Sequence, residues 1–251
     1  MKKSKVLRAV INPIVRGLTN LLFKVDADDL KCIPLKGPII IIVNHVNFLE
    51  LPMIYPRIRT NLGIGFSKEE NWDNAVYRLL FNIWDLIPIN RDEIDIAALR
   101  RGLKALDNER LLFITPEGTR SHDGQLQRGK PGAAWIAQRS GVPVWPIACF
   151  GGENFREDFG KFRRPDYHIR VGAPFRVEVT DTRVTSEIRQ EIVDEMMIRI
   201  AVLLPPQYRG VYSDLKDPSQ RYLQFTDALQ DPCHQAQQQD RKTPKRETSY
   251  A

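Results

Sequence analysis

Residues 37–45 read Gly37-Pro38-Ile39-Ile40-Ile41-Ile42-Val43-Asn44-His45. Five consecutive β-branched residues behind a Gly-Pro turn describe a strand without a solvent face, as in parallel sheets covered by helices on both sides. Outward from this run, strand patterns recur at 62–66, 86–89, 111–115, 144–149 and 167–171. Helical patterns lie between and after them at 51–57, 74–83, 94–108, 132–140 and 186–204. Strands alternating with helices predict an α/β fold: a layered domain with a largely parallel central sheet flanked by helices.

The chain has 251 residues, 42% of them hydrophobic and 27% charged. That is enough to bury a sizeable core, and it excludes collagen-like and wholly disordered classes. The net charge of +6 is unevenly placed. Six of the 37 basic residues (Lys2, Lys3, Lys5, Arg8, Arg16, Lys24) and none of the 31 acidic ones lie in residues 1–24, so the rest of the chain is balanced. A nucleic-acid-binding protein spreads positive charge over its body. A basic end on a neutral body fits a membrane surface instead. In the same segment Leu7, Ile11, Ile14, Leu18 and Leu21 recur at helical spacing, so an amphipathic N-terminal helical segment is expected over residues 1–29. It either packs on the core or lies in the interface with its basic residues at the headgroups, and the two are compatible. Pro13 opens a second helix or kinks the first. No run of about 18 apolar residues occurs, so no membrane-spanning helix is expected. The main domain should cover residues 30–230, followed by a polar disordered tail over 231–251.

Of four histidines, only His45 directly follows a buried strand, and open α/β sheets gather ligands at the carboxyl ends of their strands. Glu50 follows five residues later. A carboxylate on one ring nitrogen fixes the tautomer, leaving the other as a general base. The plainer alternative is a loop-capping histidine beside an unrelated glutamate. A second stretch, Thr115-Pro116-Glu117-Gly118-Thr119-Arg120-Ser121, also follows a strand. Gly118 admits close backbone approach, and Arg120 offers bidentate geometry to a phosphate. In a third, Ile87-Pro88-Ile89-Asn90-Arg91, another cation ends a strand. Taken singly, these read equally as a polar turn and a surface ion pair. Gly124–Pro131 resembles a nucleotide phosphate loop, but Pro131 replaces the magnesium-binding hydroxyl and no strand precedes it. Lys130 remains a candidate for anion support. Neither a G-x-S-x-G elbow nor an H-E-x-x-H zinc motif is present.

Together and in this order, the stretches resemble the glycerolipid acyltransferase family, 1-acylglycerol-3-phosphate acyltransferase-like, with its His-x-x-x-x-Asp motif. Asn44, His45 and Glu50 match the first motif, with Glu for Asp. Ile87–Arg91 resembles the arginine motif. Pro116–Ser121 matches the Pro-Glu-Gly-Thr-Arg-Ser motif, with Thr115 in place of Phe. Val142–Ile147 resembles the apolar proline motif. The resemblance covers roughly residues 30–175 and makes residues 30–230 an acyltransferase domain. It implies transfer of a fatty acyl group from a thioester to a lysophospholipid hydroxyl, first of all that of 1-acylglycerol-3-phosphate, giving phosphatidate. The same chemistry on another lysolipid or an alcohol, or a catalytically impaired lipid-binding relative, are the alternatives. The implied catalytic pair is His45 and Glu50. The implied phosphate-binding residues are Arg91, Glu117, Gly118, Thr119 and Arg120, Glu117 also ordering its loop. No cofactor or metal is expected beyond an acyl-coenzyme A or acyl carrier protein co-substrate. The partners are the two substrates and a membrane surface, with acyl carrier protein a candidate and no nucleic acid. The location is peripheral, on the cytoplasmic face. Asp85 stands where this family usually has Gly, and it either weakens anion binding or points elsewhere.

Overall fold

Strand β2 (Ile39–Val43) is buried along its whole length, between β5 (Leu111–Ile114) and β6 (Val144–Phe150), both parallel to it. The computed structural model describes residues 2–90, 95–121, 123–179, 184–215 and 221–225. Around this centre, β1 (Lys24–Asp26), β3 (Gly63–Lys68), β4 (Ile87–Ile89) and β7 (Asp166–Val171) complete a seven-stranded sheet in the order β1-β7-β6-β2-β5-β3-β4. Every pairing is parallel except β6 with β7. A short antiparallel pair, β8 (Arg176–Val177) and β9 (Leu223–Gln224), forms a second sheet, linked to β6 by a bridge between Val144 and Phe175.

The period of two along each strand sorts side chains into two cores. Ile40, Ile42, Leu112 and Ile114 pack under α4 (Ile96–Asp107), α5 (Gly132–Ser140) and α7 (Ser186–Ala201). Ile39, Ile41, Val43, Leu111 and Phe113 pack under α2 (Glu50–Ile54) and α3 (Ala75–Ile83), joined by Phe155 and Phe159 of α6 (Phe155–Gly160). The alternation of strands and helices thus gives the expected α/β layers, while α2 ends earlier than its pattern suggested. α7 ends at Ala201, before Pro205 and Pro206, which cannot continue a helix.

The N-terminal segment forms one helix, α1 (Lys2–Leu22), which runs through Pro13 rather than starting afresh there. It docks mainly through polar side chains, with Ile11 packed on the core among them. Arg8 is 3% exposed and donates from Nε to the Ile83 carbonyl at 2.6 Å and from Nη1 to the Asn61 carbonyl. Asn12 accepts from Trp84 Nε1 at 3.0 Å, and Thr19 Oγ1 accepts from Arg57 Nη2 at 3.0 Å. Val6, Val10, Ile14, Leu18 and Leu21 point outward and are exposed. The helix is therefore turned opposite to an ordinary surface helix, whose apolar stripe faces the core. Arg8 corrects the expectation that the segment's basic residues sit at the headgroups: it is the buried anchor of α1. β1 joins the sheet edge, so part of residues 1–29 belongs to the sheet domain. The expected tail over 231–251 lies outside the described residues. Among the described residues no helix is long and apolar enough to cross a membrane.

Candidate active site

The chain leaves β2 at Asn44, whose side chain is 2% exposed and bridges to the neighbouring strand. Its Nδ2 donates to the Cys149 carbonyl at 2.8 Å, and its Oδ1 accepts from the Cys149 amide at 2.7 Å. This pair of hydrogen bonds to β6 holds the next residue, His45, at the carboxyl end of the central strand. His45 Nδ1 lies 3.2 Å from Glu50 Oε2. Glu50 is 4% exposed, and its other oxygen accepts from the amides of Val46 at 2.9 Å and Asn47 at 3.0 Å. The Glu50 side chain thus spans from the start of α2 to the ring while also ordering the intervening loop. Asn47 braces that loop by donating to the Gly152 carbonyl at 3.1 Å and accepting from the Leu49 amide at 2.8 Å.

The segment after β5 closes on the same point. Glu117 is buried at 2% exposure. Its Oε1 accepts the His45 amide at 2.7 Å and its Oε2 the Gln127 amide at 2.8 Å. The Ser121 amide donates to the His45 carbonyl at 2.8 Å. Burial pushes the Glu117 carboxyl up to about 7, against the two amides that favour its ionised form. Each of its oxygens accepts from a backbone amide, so Glu117 orders its loop. Gly118 has φ +69°, and a Cβ there would meet Lys130 Cδ at 2.8 Å and Nζ at 3.2 Å. Glycine therefore lets the Lys130 chain lie against the turn, and Lys130 adds a cation beside it. Thr119 and Arg120 are exposed.

His45, Glu50, Thr115 and Arg120 line one cavity of about 460 Å³. Away from these polar groups its wall is mostly apolar, with Leu18 and Leu22 of α1, Val76 and Leu80 of α3, and Phe155 and Phe159 of α6. The volume is that of an ordinary small-molecule site. Thr115 is thus part of the wall.

Arg91 lies outside the described residues. The strand before it, β4, is three places from β2 in the sheet. Asp85, just before β4, takes φ +53°, the left-handed backbone that glycine adopts without strain. Its carboxylate turns away from the cavity, to Arg8 Nη2 at 2.9 Å and Arg110 Nη2 at 3.1 Å. The same two arginines gather the carbonyls at the start of β3, Arg110 donating to Leu62 at 3.2 Å and Gly63 at 3.0 Å. Sequence reasoning missed the roles of Asn44, Gln127, Arg8 and Arg110. Only Asn44, a polar residue directly after a wholly apolar strand, carried a local signal.

A family model described as Acyltransferase matches residues 24–150 of this chain. The chain is 31% identical over 133 residues to "1-acyl-sn-glycerol-3-phosphate acyltransferase BAT2, chloroplastic" of Brassica napus, covering 51% of this chain and 38% of that protein. It is 26% identical over 172 residues to the "1-acyl-sn-glycerol-3-phosphate acyltransferase" of Saccharomyces cerevisiae, covering 64% and 55%. The chain therefore spans about two fifths to about half of the length of these relatives. Among solved structures it is similar to the 1-acyl-sn-glycerophosphate acyltransferase PlsC of Thermotoga maritima. There the TM-score is 0.58 at 21% identity, over 80% of this chain and 82% of that one, a likeness of fold.

Proposed function

Because this chain belongs to the Acyltransferase family, we propose that it moves a fatty acyl group from a thioester to the hydroxyl of a lysophospholipid, 1-acylglycerol-3-phosphate above all, giving phosphatidate. The observation that carries this reading is the His45–Glu50 pair at 3.2 Å, opening on an apolar cavity with Arg120 in its wall.

Glu50 holds Nδ1 and balances the charge that develops on the ring. The other ring nitrogen, Nε2, takes the proton of the acceptor hydroxyl as its oxygen attacks the thioester carbonyl. The tetrahedral intermediate collapses, the carbon–sulfur bond breaks, and the imidazolium returns the proton to the departing thiolate. General-base help of this kind contributes about 10²–10⁴ in rate, and alignment of the two substrates contributes further. Arg120, with Arg91 as its proposed companion and Thr119 and Lys130 beside it, receives the acceptor phosphate. The apolar wall receives an acyl chain. The donor is acyl-coenzyme A or acylated acyl carrier protein, and the chemistry needs no metal.

Both a lysolipid and its two-chain product reside in a bilayer, so the site works at a membrane surface. The outward apolar face of α1 borders the cavity and supplies the contact, with the basic residues of the segment other than the buried Arg8 adding about 1 kcal/mol each beside an anionic leaflet. We place the protein peripherally, on the cytoplasmic face.

The test supplies labelled acyl-coenzyme A, then acylated acyl carrier protein, with a panel of lysolipids to the protein and to His45→Ala. Phosphatidate formed only with His45 present is the expected result. Product from a different lysolipid alone would move the acceptor and keep the mechanism. No product from any pair would overturn the catalytic reading.

A further inference from the structure

Helix α6 ends in a hydrogen-bonded stop that normally calls for glycine. The Arg163 amide donates to the Asp158 carbonyl at 2.8 Å, and the Phe162 amide donates to the Phe159 carbonyl at 3.1 Å. These are the two bonds of a Schellman ending, and they place Phe162 at the left-handed position, with φ +54°. Glycine takes this backbone freely, whereas a bulky residue is an outlier there. This chain nevertheless carries a phenylalanine, and its side chain is 100% exposed. No internal packing explains it. A scattered exposed apolar residue alone needs no explanation. This one combines an unfavourable backbone, an aromatic ring and cations on both sides in Lys161-Phe162-Arg163-Arg164.

Its position in the fold is as specific as its conformation. Phe159, one turn earlier, lines the cavity, as do Leu18 and Leu22 at the end of α1. Arg164 ties the loop to that end, donating from Nη2 to the Asn20 carbonyl at 2.6 Å and the Phe23 carbonyl at 2.9 Å. Arg164 thus holds the loop that carries Phe162 at the end of α1 where Leu18, Leu21 and Leu22 are exposed. Lys161 lies 3.9 Å from Glu157, an exposed pair that screens only weakly, and Arg163 makes no ion pair among the described residues.

We propose that the Lys161–Arg164 loop is a second membrane contact, in which Phe162 enters the interface of an anionic bilayer while Lys161 and Arg163 meet its headgroups. A contact at this loop, tied to the end of α1 through Arg164 and added to the one along the helix, limits the tilt of the cavity mouth against the lipid, which the helix alone leaves free. The proposal rests on the interfacial reading of α1.

The test uses the full chain with vesicles of phosphatidylcholine, with and without a third of phosphatidylglycerol. Phe162→Gly relieves the left-handed residue. Its Tm should hold or rise, while partition onto the anionic vesicles falls roughly tenfold. A structural role for the ring would lower both. The emission of Phe162→Trp, read as a difference from the parent, should shift to the blue and be quenched by brominated acyl chains. Lys161→Gln with Arg163→Gln should weaken binding to anionic vesicles and leave neutral ones unaffected. Unchanged partition of Phe162→Gly, or a difference emission of Phe162→Trp that bound vesicles do not move, overturns the proposal. Failure of the parent to bind either vesicle overturns it together with the reading of α1. Loss of binding in Leu21→Asp but not in Phe162→Gly leaves α1 standing and removes the loop.

Discussion

Glu117 and His45, 72 residues apart in sequence, are joined by a 2.7 Å hydrogen bond from the His45 amide to the Glu117 carboxylate. With the Ser121 amide on the His45 carbonyl, both backbone groups of His45 are held by the segment that carries Arg120. The proposed base and the proposed phosphate ligand are thereby positioned by one connection, which is what two-substrate chemistry requires.

His45→Ala should lower kcat by about 10²–10⁴ with little change in Tm. The backbone bonds to Glu117 and Ser121 do not depend on the ring. Steady-state kinetics beside a thermal melt separates this from misfolding.

Glu50→Ala should act on both. Loss of the carboxylate leaves the Val46 and Asn47 amides without their acceptor, at about 1–3 kcal/mol, and removes the partner of the imidazolium. Glu50→Asp, one methylene shorter, should keep either the amides or the ring but not both. A melt as stable as the parent's, with full activity, would show that the loop reorganises around the shorter chain.

Glu117 bears on pH. Burial holds its folded value at about 7, above the 4.5 of a free glutamate. Between these values the folded state keeps a proton that the unfolded state releases. Stability is therefore lost as pH rises through this window, on the order of 3 kcal/mol in all from this group. Glu117→Gln should flatten that part of a denaturation curve taken from about pH 4.5 to 7.5. It should also reduce activity about tenfold or more, because one amide N–H then faces a side-chain NH₂.

Asp85→Gly and Asp85→Ala both remove the ion pairs with Arg8 and Arg110. Only alanine also strains the backbone at φ +53°. The alanine variant should be the less stable by about 1 kcal/mol, read as a difference in denaturation midpoint. Equal midpoints would mean that the turn relaxes when the carboxylate is gone.

Ile14→Asp and Leu21→Asp, on the exposed face of α1, should abolish vesicle co-sedimentation without lowering Tm. They are a cleaner probe than deletion of residues 1–24, which would also strip Arg8 from its buried carbonyl and carboxylate partners. Pelleting of both variants as before would remove α1 as the anchor.

Much of the fold was legible because apolar periodicity is local. The run Ile39–Val43 declares a strand buried on both faces, and the alternation around it declares the layers. The position of His45 after that strand, with Glu50 five residues on, marked the pair, since the reach from ring to carboxylate is short in sequence. Contacts between distant segments were not legible. Nothing near Glu117 says that its oxygens turn inward to the amides of residues 45 and 127. Nothing near Asp85 says that it answers an arginine on α1. The N-terminal stripe showed an amphipathic helix, but periodicity is silent about which face docks. That was decided by the partners the body offers: the Ile83 and Asn61 carbonyls, Trp84 Nε1 and Arg57 are polar groups that need partners. They draw Arg8, Asn12 and Thr19 inward and leave the leucines outside. The local patterns of the chain determined its elements and pointed to the proposed chemistry. Pairing between segments far apart in sequence decided which polar groups face the cavity and which hold the others in place.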